Sequence, residues 1–243
     1  MKIVSETDQL HAIIVGSSGG IGKALCEYLL QLSNVNKVTG LSRSPTDINH
    51  EKFISHHIDI TNEESIIESI ASVEEAQLII IATGVLHDDE MMPEKSLGNL
   101  SAANLHRAFD VNTIGPALLI KHLSKKMSPQ QPSFLVALSA KVGSISDNLL
   151  GGWYGYRASK AALNMIIKTA SIEIQRFYPT HTVIAFHPGT VTTNLSNPFT
   201  TNYPKEKLID PDGAAERLLN TLDMLGPANN GQLINWDGTR ISF

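Results

Sequence analysis

Two side chains in this sequence are placed for proton transfer. Tyr156 and Lys160 lie four residues apart in Tyr156-Arg-Ala-Ser-Lys160-Ala-Ala-Leu-Asn-Met165, a spacing that stacks both on one face of a helix. A free phenol, with a pKa of about 10, is a poor base at neutral pH, and a neighbouring ammonium favours the phenolate by about 1.36 kcal/mol per unit of depression. Lys160 can thus tune Tyr156 to exchange protons, although the same spacing also describes an ordinary pair on a helix surface.

A second group of residues suits an anion. The apolar run His11-Ala-Ile-Ile-Val15 leads directly into Gly16-Ser-Ser-Gly-Gly-Ile-Gly22 and then into the helical Lys23-Ala-Leu-Cys-Glu-Tyr-Leu-Leu30. Gly16 permits a tight turn out of a strand, Gly20 lets backbone approach a pyrophosphate, and Gly22 lets the helix pack closely on the sheet. The N–H groups around Ser18, Gly19, Gly20 and Ile21 then face the diphosphate, helped by the partial positive charge of a helix N-terminus. A flexible turn is the plain alternative, but the position between a strand and a helix is the context that a dinucleotide loop requires. At the end of the next apolar run, Gly40-Leu-Ser-Arg-Ser44 carries no acidic residue to accept from a ribose 2'-OH. Arg43 can instead make a bidentate, stacked contact with a 2'-phosphate and adenine, with Ser42 as a further donor, which favours NADP(H) over NAD(H). Asp59, in Ile58-Asp-Ile-Thr61, can accept from the adenine amino group or cap the helix that follows near 62.

These groups need a scaffold that gathers strand ends. Short apolar runs at 11–15, 36–41, 53–58, 77–82, 133–138, 181–186 and 231–235 alternate with helical stretches near 20–32, 62–73, 100–127, 153–177 and 211–225. That alternation predicts an α/β fold: a Rossmann-like, doubly wound, seven-stranded parallel sheet with helices on both faces. Ligands bind such folds at the carboxyl ends of the strands, near the point where strand order reverses. The chemistry is therefore expected in the loops after the strands.

Composition narrows the class further. A length of 243 residues fits one α/β domain spanning 1–243, and 42% hydrophobic against 18% charged residues excludes disorder and fibrous architectures. A net charge of -5, with no Lys/Arg run longer than two, lacks the electrostatic footprint of a nucleic-acid binder. The single Cys26 sits in an apolar helical stretch, and nine histidines show no ligand spacing, His56 and His57 pointing to opposite faces of a strand; no metal site is expected. Met1 to Asp8 is acidic without an apolar leader, and no run approaches 18 apolar residues, so a cytoplasmic protein without membrane contact is expected.

The glycine loop, Tyr156-x-x-x-Lys160, Asn112 within Asp-Val-Asn-Thr-Ile-Gly115, and His187-Pro-Gly-Thr-Val-Thr-Thr193 together resemble the short-chain dehydrogenase/reductase family over about residues 10 to 238. Gly143-Ser-Ile145 and the tract from Gly151 to Asn164 look most like its carbonyl-reductase-like branch, which includes Sniffer and the developmental C-factor. The resemblance implies an oxidoreductase that interconverts a carbonyl and an alcohol on a small, partly apolar substrate. Tyr156 would exchange the proton with the substrate oxygen, and Lys160 would lower its pKa and hold the ribose hydroxyls. Asn112, interrupting a helix, would use its side chain or a freed backbone carbonyl to place a water linking Lys160 to solvent. Pro188, Gly189, Val191 and Thr193 would hold the carboxamide, and Ala82, Thr83 and Gly84 would let the adenosine ribose pass close to backbone. A homodimer or homotetramer packed through helices 100–127 and 153–177 is implied, and 194–210 is expected to form a mobile substrate lid.

One departure concerns the family's catalytic serine. In Leu138-Ser139-Ala140-Lys141-Val142-Gly143 its register falls on Ala140. Ser139 lies one residue early and is expected to turn into the site as the hydroxyl donor, with Ser144 as the other candidate. The loss of a hydroxyl at Ala140 also motivates a rival expectation, a regulatory or signalling protein that binds NADP(H) with little turnover.

Overall fold

Most of the apolar runs form strands that helices bury on both faces, which suits β-branched and leucine side chains, while the run at 53–57 forms a largely exposed edge. The structure is a computed structural model and describes residues 2–201 and 203–243. In chain order the elements begin with β1 (Leu10–Val15), α1 (Gly20–Leu30), β2 (Val35–Ser42), β3 (Phe53–His57), α2 (Glu63–Ala71) and β4 (Leu78–Ile81). There follow α3 (Ala102–Phe109), α4 (Gly115–Leu123), β5 (Phe134–Leu138), α5 (Tyr154–Phe177), β6 (Thr182–His187) and β7 (Thr190–Val191). The chain ends with β8 (Leu208–Ile209), α6 (Pro211–Leu222), β9 (Leu233–Asn235) and β10 (Arg240–Ile241).

The main sheet has eight strands in the order β10-β9-β6-β5-β4-β1-β2-β3. The seven expected strands are all parallel, and the eighth, β10, adds an antiparallel edge through Arg240 opposite Ile234. Its two residues carry too little apolar pattern to be read as a strand from sequence. Order reverses between β1 and β4, so the loops after Val15 and Ile81 flank the crevice where a doubly wound sheet binds ligand. Side-chain alternation splits the core in two: Ala12 and Ile14 face α1 and α6, while Ile13 and Val15 face α2, α4 and α5.

The helical stretch over 100–127 is interrupted at Asn112, as the family resemblance implies. Between α3 and α4, Asp110–Ile114 forms a π-helical turn with Asn112 wholly buried at its centre. Such turns recur at functional sites because the extra residue re-aims a side chain and a carbonyl.

Candidate active site

The strand ends enclose a cleft of about 1440 Å³. It is lined by Ser18 to Ile21 after β1, Arg43 and Asp59 at the outer strands, Ala82 to Gly84 after β4, and Ser139 and Ala140 after β5. Tyr156 and Lys160 line it from α5, and His187 to Ser196 from the segment after β6. Of the residues expected in the site, Gly16, Gly22, Ser42 and Asn112 stand behind this lining rather than in it.

The glycine loop is built by close approach. Gly16 has φ +89°, a left-handed conformation that suits glycine, and a Cβ there would meet the Ala82 backbone at 3.1 Å. A Cβ on Gly22 would stand 2.1 Å from the Gly16 carbonyl oxygen, so α1 can press onto the turn only because both are glycine. The Gly19 N–H, expected to face the ligand, closes the turn by donating to the Gly16 carbonyl at 3.0 Å. Gly19 also caps α1 without a side chain, which leaves the N–H groups of Ser18, Gly20, Ile21 and Gly22 with no acceptor among the described residues. Four free donors at a helix start fit a diphosphate.

At the adenine end the outcome is mixed. Arg43 is exposed and reaches the cleft. The Ser42 hydroxyl, expected as a second donor, turns inward instead: it donates to the Ser44 carbonyl at 2.6 Å and accepts from Ser17 at 3.3 Å. Position 42 ends a run of β2 that is buried on both faces, so its hydroxyl finds its partners inside the protein. Asp59 does not cap α2; Asn62 does, accepting from the N–H groups of Glu64 and Ser65. Asp59 Oδ1 accepts from the Thr61 N–H and hydroxyl at 2.9 and 2.7 Å, and these bonds, with Arg43 adding less, hold its carboxyl below the usual range.

Tyr156 and Lys160 occupy the first two turns of α5, on the face that also buries Ser159, Leu163, Asn164 and Ile167. Lys160 is 3% exposed, and its Nζ donates to the Leu138 carbonyl at 2.9 Å and stands 6.0 Å from the centre of the Tyr156 ring. Burial pushes the Tyr156 phenol up to about 12 and the Lys160 ammonium down to about 8. The expected depression of Tyr156 by Lys160 is thus not found, because loss of solvent outweighs an ammonium that makes no hydrogen bond to the phenol.

The start of α5 is held by a residue that local sequence patterns do not reveal. Gly151, Gly152 and Trp153 all have left-handed φ, and Trp153 offers α5 no side-chain cap. Glu94, 5% exposed, supplies one from 61 positions away: a carboxylate oxygen accepts from the Gly155 N–H at 3.0 Å, and its carbonyl accepts from Trp153 N–H. Asn112 secures the opposite side. Its amide exchanges two 2.8 Å hydrogen bonds with the Val85 backbone and donates to the Ser159 hydroxyl at 3.1 Å. That side chain is fully committed, which leaves the backbone carbonyl of the two routes expected for placing a water.

Neither candidate hydroxyl is free. Ser139 Oγ donates to Asn164 Oδ1 at 2.7 Å, because its strand phase points it at α5. Ser144 Oγ donates to the Ser242 carbonyl and accepts from Asp147 N–H, away from the cleft. Ala140 lines the cleft where the family's serine would stand.

Beyond β6, Pro188 and Gly189 turn the chain into β7, which pairs with β8 in a separate two-stranded sheet. The Val191 carbonyl accepts from the Ser196 hydroxyl, and Thr193 packs against Gly20, where a Cβ would meet it at 2.9 Å. The arm from 194 onward lies over the cleft. Phe199 meets Trp153 edge-on at 5.1 Å and His87 at 5.5 Å, His87 Nε2 lies 2.9 Å from the Asn194 carbonyl, and Trp153 stacks edge-on with Tyr156 at 6.3 Å. Asn202, within the expected lid, lies outside the described residues. Among the described residues no three metal-ligating side chains cluster, and no helix is long and apolar enough to cross a membrane.

The family model described as short chain dehydrogenase matches residues 10–204. The chain belongs to the short-chain dehydrogenase family. It is accordingly an NAD(P)-dependent oxidoreductase. A 1-hydroxy-2-glutathionyl-2-methyl-3-butene dehydrogenase of Rhodococcus sp. (strain AD45) is 30% identical over 187 residues, 76% of this chain and 78% of that one. The C-signal protein of Myxococcus xanthus is 28% identical over 148 residues, 61% of this chain and 84% of that one. A Bacillus subtilis (strain 168) benzil reductase that forms (S)-benzoin is 29% identical over 186 residues, 75% of each chain. Among solved structures, NADPH-bound carbonyl reductase from chicken fatty liver superposes with a TM-score of 0.85 at 24% identity, covering 99% of this chain and 96% of that one. Carbonyl reductase Sniffer of D. melanogaster gives 0.81 at 23% identity, covering 98% and 100%. The resemblance to Sniffer and C-factor relatives is borne out.

Proposed function

We propose that the protein is an NADP(H)-dependent carbonyl reductase in which Tyr156 is the acid/base. The observation that carries this is the convergence of Tyr156 and Lys160 on a cleft that is also lined by Arg43 and by Ser18, Gly20 and Ile21, whose N–H groups are free. When bound, the nicotinamide supplies or accepts the hydride. The free N–H groups of the glycine loop hold the diphosphate, Arg43 holds the 2'-phosphate, and Asp59, through its carboxylate, meets the adenine amino group. Ala82, Thr83 and Gly84 leave room for the ribose to pass, and Lys160 turns its remaining protons toward the ribose hydroxyls. Pro188, Gly189, Val191 and Thr193 orient the carboxamide. The Tyr156 hydroxyl donates its proton to the carbonyl oxygen during reduction and is reprotonated through Lys160 and a water on the Asn112 carbonyl.

Phe199 and Trp153 make the wall facing Tyr156 aromatic, which suits a partly apolar substrate under an arm that opens and closes over 194–210. The Bacillus subtilis relative is named for benzil reduction, which makes benzil a suitable probe. The exposed Ile114, Met165 and Ile172 on the π turn and α5 suit a homo-oligomer. Oxidation of NADPH against NADH with a panel of aldehydes and ketones tests the proposal. Faster turnover with NADPH supports it. Ala140 also favours a second reading, a sensor of NADP(H) with little turnover, which tight NADPH binding and no activity across the panel would establish.

A further inference from the structure

We propose that His187 is the hydrogen-bond donor to the substrate's carbonyl oxygen, the role left open by alanine at 140. This rests on the carbonyl-reducing reading of the cleft. The donor is missing because Ser139 gives its proton to Asn164 and Ser144 gives its proton to Ser242. His187 is brought to the same place by the sheet. Leu138 pairs with Phe186, and the Ser139 N–H donates to the Phe186 carbonyl at 2.7 Å, so the next residue of β6 stands beside the end of β5, where Ala140 begins the following turn. His187, Ala140 and Tyr156 all line the cleft.

The two ring nitrogens of His187 have different surroundings. Nδ1 is buried with no hydrogen-bond partner among the described residues, while Nε2 is the nitrogen that keeps open surface. Burial, with Lys141 nearby, pulls the imidazole down to about 4, so the ring is neutral at working pH. A neutral ring carries one proton. On Nδ1 it would be a buried donor without an acceptor, which folded proteins avoid, so it sits on Nε2 and points at the cleft. An N–H so placed does for a developing alkoxide what a serine hydroxyl does. The bookkeeping of the reaction is unchanged: hydride adds to the carbonyl carbon, the C=O π electrons move to oxygen, and Tyr156 delivers the proton. His187 keeps its own proton throughout.

The test measures NADPH oxidation by the full chain with benzil, alongside NADPH binding by fluorescence. His187→Ala is expected to lower kcat about 100-fold with NADPH affinity retained, and Ala140→Ser on that background to recover most of the loss. His187→Gln, which keeps an N–H donor, is expected to retain more than about a tenth of the wild-type kcat even if the alanine variant folds poorly. Three results would overturn the assignment: His187→Ala within about threefold of wild type, no recovery on adding Ala140→Ser, or His187→Gln as slow as the alanine variant while binding NADPH. Tyr156→Phe run in parallel separates the causes. If it is inactive while His187→Ala is fast, only the histidine assignment falls; if it keeps full turnover, the carbonyl-reducing reading falls and takes His187 with it.

Discussion

Burying Lys160 costs stability in a way that depends on pH. Its folded-state pKa of about 8 lies below the unfolded 10.5, so the unfolded chain binds more protons between those values and stability rises with pH across that window. Tyr156 works the other way: its phenol is held up at about 12 against 10.0, so stability falls above pH 10.0. Cys26, held up by burial at about 12 against 9.0, opposes Lys160 above pH 9. Chemical denaturation should therefore show stability climbing from about pH 8 to about pH 9, levelling to about pH 10 and declining beyond it, with the climb lost in Lys160→Met. At Arg43 the expected outcome concerns selectivity: Arg43→Glu should lower the NADPH-to-NADH ratio of kcat/KM by at least about tenfold, measured with one carbonyl substrate. Gly22→Ala should destabilise the fold by about 1–3 kcal/mol, because the added carbon meets the rigid Gly16 carbonyl. The residues legible in the sequence are those whose partners lie within a turn or two, such as Gly16 with Gly22 and Tyr156 with Lys160. The orientations of Ser42 and Ser139 are not legible in the sequence, because each hydroxyl bonds to a residue on another element, Ser42 with Ser17 and Ser139 with Asn164.

At the scale of elements, the helix that carries Tyr156 and Lys160 depends on contacts far away in sequence. α5 begins after three left-handed residues and is capped by Glu94, so Glu94→Ala should lower stability by about 1–2 kcal/mol in a denaturant titration and slow turnover by loosening Tyr156. The π turn at 110–114 locks to α5 through Asn112 on Ser159 and through the Thr113 hydroxyl, which donates to the Ser159 carbonyl at 2.8 Å. The seven parallel strands and the long helices were readable from apolar periodicity to within a few residues, whereas the two-residue strands β7, β8 and β10 are too short to carry a period. The break in 100–127 was signalled only by Asn112 and Gly115-Pro116, and neither the Glu94 cap nor the Phe199–Trp153 contact leaves a local pattern, because each joins loops separated by dozens of residues.

For the molecule as a whole, the sheet's reversal between β1 and β4 brings the anion-binding loop and the acid/base helix to one crevice, as the doubly wound pattern predicts. The net charge of -5 is no obstacle to a polyanionic ligand, because backbone N–H groups and Arg43 meet it locally. Ligand binding to the folded state alone should raise stability by about 2.7 kcal/mol at a hundredfold excess of NADPH over its Kd, read as a rise in Tm. The central claim, that Tyr156 transfers the proton to a reduced carbonyl, is tested most directly by steady-state NADPH oxidation with benzil, comparing the wild-type protein with Tyr156→Phe. The account predicts turnover by the wild type and a loss of at least about 1000-fold in kcat for the variant, with NADPH binding unchanged. Full turnover by the phenylalanine variant would contradict it.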